Sequence, residues 1–180
     1  GAKATNIVRL GRAGLPVPTG FCIPGNTCRQ HLRAAGILLQ LTTALPEFED
    51  ATPQYKRRIL ADIRKRIADA PLENGLTDRI AEHFRTLEAR AVAVRSSATA
   101  EDLPNQSFAG QHDSFLHVTS LGACIEAVKK CWASLWTERA FDYRCQNGID
   151  HIDVEMAVIV QEMIDADVSG VIFTANPITG

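Results

Sequence analysis

The stretch Ala91-Val92-Ala93-Val94-Arg95-Ser96-Ser97-Ala98-Thr99 most narrowly limits what this chain can become. Four apolar residues in a row, two of them β-branched, suit a short buried strand. The strand runs straight into a guanidinium and a cluster of hydroxyls, followed by Ala100-Glu101-Asp102-Leu103-Pro104. A core strand that delivers one cation and several small donors to its end makes a place for a polyanion such as a triphosphate.

Other strand signals surround it. Phe21-Cys22-Ile23 is a short apolar run closed by Pro24-Gly25, and Leu15 to Gly20 is a turn stiffened by two prolines. Phe108 to Val118 predicts extended structure with a turn near Ala109-Gly110-Gln111. Met156 to Met163 and Val168 to Thr174 read as two strands, and Asp165-Ala166-Asp167 between them predicts an antiparallel hairpin. Helices are expected over 4–13, ended by Gly14; from a cap at Asn26 or Thr27 to about Ala35; and over 53–69, with Ile59, Ile63 and Ile67 inward. A further helix is capped by Thr77, with Ile80, Phe84 and Leu87 inward, and residues 121–146 form one or two more around Ile125, Val128, Trp132 and Leu135. Helices and strands do not alternate strictly, so the expected class is α+β rather than a doubly wound parallel sheet.

Composition narrows the function. The 180 residues suit one domain, and 46% hydrophobic content suffices for a core. Nineteen basic against 21 acidic residues give a net charge of −2, which argues against a general nucleic-acid binder while leaving a local cationic pocket open. Five cysteines, an odd number with no C-x-x-C pair, read as reduced thiols rather than disulfides or metal ligands. No run of about 18 apolar residues exists and no signal-peptide pattern is visible, so a cytoplasmic protein with no membrane partner is expected. The chain starts without Met and stops just after Pro177-Ile178-Thr179, which reads as a fragment. Neither a Walker A sequence nor G-x-G-x-x-G is present, and the five histidines lack metal-ligand spacing. The runs Lys56-Arg57-Arg58 and Arg64-Lys65-Arg66 read as the solvated face of a helix.

Five residues stand out as candidates for binding. Lys3, among Gly1, Ala2 and Ala4 at a helix start, opposes the helix dipole unless an anion sits there too. Arg95 reads either as a phosphate ligand or as the partner of Glu101 or Asp102. Gly110 permits close backbone approach and Ser114 offers a hydroxyl; the alternative for both is a plain hairpin turn. Gln161 ends the apolar run Val158-Ile159-Val160, as an adenine pocket requires, or is a polar residue at a sheet edge. His112 reads as a local hydrogen-bonder, Trp132 as core, and Arg139 as a salt-bridge partner or a distant phosphate contact.

The run from Ala93 through Gln111, together with Cys131-Trp132-Ala133-Ser134-Leu135 and Val168-Ser169-Gly170-Val171-Ile172-Phe173-Thr174-Ala175-Asn176-Pro177, resembles the nucleotide-binding domain of phosphoenolpyruvate synthases, pyruvate phosphate dikinases and rifampin phosphotransferases. The resemblance is dense from Ala91 to Gly180 and thin over 37–75. It implies the N-terminal part of an ATP-grasp-like domain over 1–180, in two lobes meeting near residue 90 and incomplete at its C-terminus. It makes Lys3, Arg95, Gly110, Ser114 and Gln161 the nucleotide contacts, with Arg95 catalytic. Around Lys3 two glycines of the family pattern are replaced by Ala2 and Ala4, and Ser114 replaces an expected threonine. ATP and Mg²⁺ are the implied cofactors, with metal ligands past Gly180. The implied partners are a swivelling domain whose histidine receives the phosphoryl group and an acceptor-substrate domain, both outside this chain. The final acceptor is pyruvate or, in the antibiotic-inactivating branch, a rifamycin hydroxyl. This chain alone is expected not to turn over. A non-catalytic nucleotide-binding or scaffold module is the reading from another class.

Overall fold

A computed structural model describes residues 2–48, 51–99 and 113–172. In chain order the elements are α1 (Ala2–Arg12), β1 (Gly20–Ile23), α2 (Gly25–Ala34), α3 (Ile37–Ala44), α4 (Pro53–Asp69), α5 (Asn74–Thr86), β2 (Val92–Ala98), β3 (Ser114–Val118), α6 (Leu121–Ala133), α7 (Glu138–Gln146) and β4 (Met156–Glu162). Short 3-10 turns follow α3 at Leu45–Phe48 and α6 at Ser134–Trp136. This is the α+β class the sequence predicts.

Three helices start on side-chain caps. Thr52 accepts from the Tyr55 amide, with Pro53 opening α4; Ser120 accepts from Ala123; Thr137 accepts from Ala140. Leu60, Ile63 and Ile67 put the inner stripe of α4 fully into the core, with Ile59 half-buried beside them. Two expected caps are displaced. α2 begins at Gly25 behind Pro24 with no side-chain cap, and α5 begins at Asn74, leaving Thr77 inside the helix. Gly25 fits where a side chain would not, since a Cβ there would stand 2.8 Å from Cβ of Glu155. α3, to which the sequence reading assigned nothing, buries Ile37 and Leu41.

The four strands form one antiparallel sheet in the order β1-β4-β2-β3. β4 is central, and Met156 through Gln161 are all buried. Gly20 lies opposite Gln161 on one side of β4, and Ala93 opposite Gln161 on the other. Arg95 pairs with Ile159 on β4 and with Ser114 on β3. The β2–β3 register slips between Val92 and Val94, and His117 in β3 takes a positive φ of 55°.

The second half of the expected hairpin does not form among the described residues. Residues 163–172 carry no strand, and Val168 and Ile172 are 87% and 94% exposed. The reason lies in the topology: β1 and β2 occupy both hydrogen-bonding edges of β4, so a strand folding back after Asp165 has no edge to join. The turn near Ala109-Gly110-Gln111, the acids Glu101 and Asp102, His112 and the Phe173 to Gly180 segment lie outside the described residues.

Strand alternation gives the sheet two unlike faces. Val92, Val94 and Ala98 of β2, Met156, Val158 and Val160 of β4, Ile23 and Val118 turn toward the helical core, where Trp132, Ile63, Leu32 and Cys28 are buried with them. The opposite face carries Ala93, Arg95 and Ser97, Ile159 and Gln161, Gly20 and Cys22, and Ser114. Against that face lies α1.

Candidate functional site

The register of the strands, rather than their nearness in sequence, assembles the site. Arg95, Ser114 and Gln161 come from three strands and share the face covered by α1. Lys3 reaches the same region from the first turn of α1, and its Nζ donates to the Ser96 carbonyl oxygen at 3.0 Å. Of the five predicted site residues, four are therefore brought to one side of one sheet. Gly110 lies outside the described residues.

Arg95 is exposed although its neighbours on β2 are buried. Among the described residues no carboxylate pairs with it, which leaves a planar, permanently charged fork directed away from the core. The hydroxyls after it do not act as one cluster. Ser96 points into the core and donates to the Asp113 carbonyl at 2.9 Å, fastening β2 to the residue before β3. Ser97 is fully buried, and its Oγ has no hydrogen-bond partner among the described residues. Thr99 closes the strand end against Glu155: its amide donates to the Glu155 carbonyl at 3.0 Å, and its Oγ1 accepts from the Glu155 amide at 3.2 Å. Arg95 thus projects just ahead of a stretch fastened to both Asp113 and Glu155.

Between α1 and the sheet runs a groove of about 380 Å³, in the range of small-molecule pockets. Ala4, Ile7, Val8 and Gly11 form one wall, and Gly20, Cys22, Ile159 and Gln161 the other. Gln161 is 6% exposed, and its Nε2 donates to the Pro18 carbonyl at 3.1 Å. It belongs to the central strand, so the sheet-edge alternative does not apply. One amide N–H is spent on orienting the side chain within a mostly apolar slot.

Sequence reasoning did not single out Gly20 or Cys22. The available signal for Gly20 was its position between a Pro-containing turn and a strand. A Cβ there would stand 2.4 Å from the Val160 carbonyl oxygen, so only glycine lets β1 lie this close to β4 beside Gln161. Cys22 is exposed in the groove, and partial burial holds its thiol above the ordinary value. Among the described residues no group of three or more His, Cys, Asp or Glu side chains gathers as a metal site. No helix among the described residues is long and apolar enough to cross a membrane.

Comparison with known proteins identifies the family. The chain is 40% identical to a probable phosphoenolpyruvate synthase of Archaeoglobus fulgidus, over 100% of this chain and 25% of that protein. It is 40% identical to a rifampicin phosphotransferase of a Streptomyces species, over 100% of this chain and 21% of that protein. A rifampicin phosphotransferase of Bacillus subtilis is also 40% identical, over 99% of this chain and 21% of its own length. The chain thus spans about a quarter, or less, of the length of these relatives. The family model for the AMP/ATP-binding domain of pyruvate phosphate dikinase matches residues 1–180, and the chain belongs to that family.

Proposed function

We propose that this chain is the ATP-holding part of a phosphotransferase, with an ATP-grasp-like site in which Lys3, Arg95, Gly110 and Ser114 take the phosphates and Gln161 the adenine side. The observation that carries this reading is the shared face: two cations and a hydroxyl lie together on it, and an apolar groove there reaches an oriented amide. That polarity fits a nucleotide, which is anionic at one end and flat and apolar at the other.

In the reaction we infer, ATP phosphorylates a histidine on a separate domain and the phosphoryl group passes on to pyruvate, as expected of a phosphoenolpyruvate synthase. The chain's own contribution is positioning and charge. Arg95 presents two parallel N–H donors to phosphate oxygens, and Lys3 adds a second positive charge at the start of α1, where backbone amides also point outward. Such fixed donors lower the barrier by stabilising charge on the transferring group without reorganising. Mg²⁺ would neutralise phosphate charge once bound with the nucleotide. The described residues offer no carboxylate cluster for it, so no residue here is assigned to it.

Calorimetric titration of Mg·ATP into the intact protein tests the site. Arg95→Ala removes a charge-assisted contact and should weaken binding by roughly 10- to 100-fold. Equal affinity would remove Arg95 from the phosphate site and favour the scaffold reading. A second acceptor is kept open by the equal identity to rifampicin phosphotransferases. Following ATP consumption with pyruvate or with a rifamycin as acceptor separates the two.

A further inference from the structure

On a different side of the molecule, a cavity of about 600 Å³ opens where α3, its following 3-10 turn, α4 and α7 meet. Its walls include Leu45, Phe48, Lys56, Phe141, Cys145 and His151, and it shares no residue with the groove beneath α1. The wall is aromatic and ordered. Phe48 meets Phe141 edge to face at 5.2 Å, and the His151 ring stacks on Phe141 at 4.1 Å and 2°.

Behind that wall is a cation. Arg144 is 1% exposed, and its Nε donates to Nδ1 of His151 at 2.9 Å. Its guanidinium carbon lies 5.2 Å from the Trp136 ring centre, and both Nη groups lack a hydrogen-bond partner among the described residues. Among the described residues no carboxylate pairs with it. Burial pulls its pKa down to about 10, so it is still charged at neutral pH. A buried charge in a low dielectric is felt farther than one in water. Lys56, half-buried in the cavity wall, also has no ion-pair partner among the described residues. Opposing these two are Asp150, whose Oδ1 accepts from the Ile152 amide at 2.7 Å, and the exposed, solvent-screened Asp142. Because Nδ1 of His151 accepts from Arg144, the neutral ring carries its proton on Nε2, 3.5 Å from Sγ of Cys145. That orientation directs a donor, not an acceptor, along the wall.

We propose that this cavity is a second binding site, for a small aromatic carboxylate whose ring packs against Leu45 and the half-buried His151, which the buried Phe48 and Phe141 back, and whose charge is met by Lys56. Cys145 and Cys22 are both exposed, one in each pocket, and report on each separately. The test follows iodoacetamide alkylation of both thiols in the intact protein by peptide mass spectrometry, with 2-naphthoate as the probe. Filling the cavity should slow Cys145 by about fivefold or more and leave Cys22 unchanged. Lys56→Gln should weaken that protection about tenfold in probe concentration, and Lys56→Arg should retain it. Mg·ATP should leave Cys145 unprotected. Unchanged Cys145 alkylation at saturating probe, or equal protection in Lys56→Gln, would overturn the proposal.

Discussion

Gly20→Ala is the substitution that most directly couples the fold to the groove. The new Cβ would stand 2.4 Å from the Val160 carbonyl oxygen and 3.0 Å from Cα of Gln161. Comfortable heavy-atom contact is roughly 3.5 Å, so the overlap with the oxygen is about 1 Å. Both atoms are backbone, and no rotamer change relieves them. β1 has to move away from β4, and it holds on through only four residue pairs, Gly20 to Ile23 against Gln161 to Val158. Overpacking of this kind costs about 1–3 kcal/mol. At about 2–4 °C per kcal/mol for a chain of this size, the melting temperature should drop by roughly 2–12 °C. Gly122→Ala in α6 is the control: apart from its chain neighbours and the backbone of its own helix, no atom lies within 4 Å of its Cβ, and a helical alanine should gain up to about 0.5–1 kcal/mol. Thermal unfolding followed by circular dichroism reads both. If Gly20→Ala melts with the unsubstituted protein while Gly122→Ala rises, the close-approach argument is refuted. The same displacement shifts Gln161, so nucleotide affinity should fall with stability in Gly20→Ala and remain unchanged in Gly122→Ala.

Other consequences can be checked with the same instruments. Ile63→Ala empties a fully buried site on α4 and should cost about 2–5 kcal/mol in denaturant unfolding, with the m-value unchanged. Thr137→Ala removes the oxygen that accepts from the Ala140 amide at the start of α7 and should cost about 1 kcal/mol, largely recovered by Thr137→Ser. Burial first, and Arg144 second, push His151 down to about 4, below an ordinary value near 6.5. The unfolded chain therefore binds the proton more readily, and this contribution to stability is complete above about pH 6.5 and lost as pH falls toward 4. His151→Phe should flatten the melting temperature over that window; a slope identical to the unsubstituted protein would exclude His151 as its source. His31, also held low by burial, supplies part of what slope remains.

Much of the candidate site was legible because the phosphate chemistry proposed for it needs a small vocabulary of residues. Arg95 at the end of an apolar run, Lys3 at a helix start and Gln161 at the end of a second apolar run were each visible as exceptions to a local pattern. The wrong expectations share a cause as well. Thr77 looks like a cap because threonine is a good one, yet α5 begins three residues earlier, at Asn74. Residues 168–172 look like a strand because they are apolar, yet no free edge of β4 awaits them. The hydroxyls after Arg95 look like one cluster of donors, yet alternation sends Ser96 into the core and buries Ser97 on the other face.

What the sequence determined alone is therefore chemical and local: the helix stripe through Ile63 and Ile67, the apolar strands, and the cation at Arg95. Periodicity and side-chain chemistry act over a few residues and can be read there. Only the tertiary structure decided that Arg95, Ser114 and Gln161 share a face, that Lys3 reaches Ser96 across 93 positions of chain, and that Arg144 is buried behind His151 with no counter-ion among the described residues. Each depends on strand register or on the packing of distant helices. A slip of one residue in β2 would turn Arg95 into the core while leaving its local sequence unchanged.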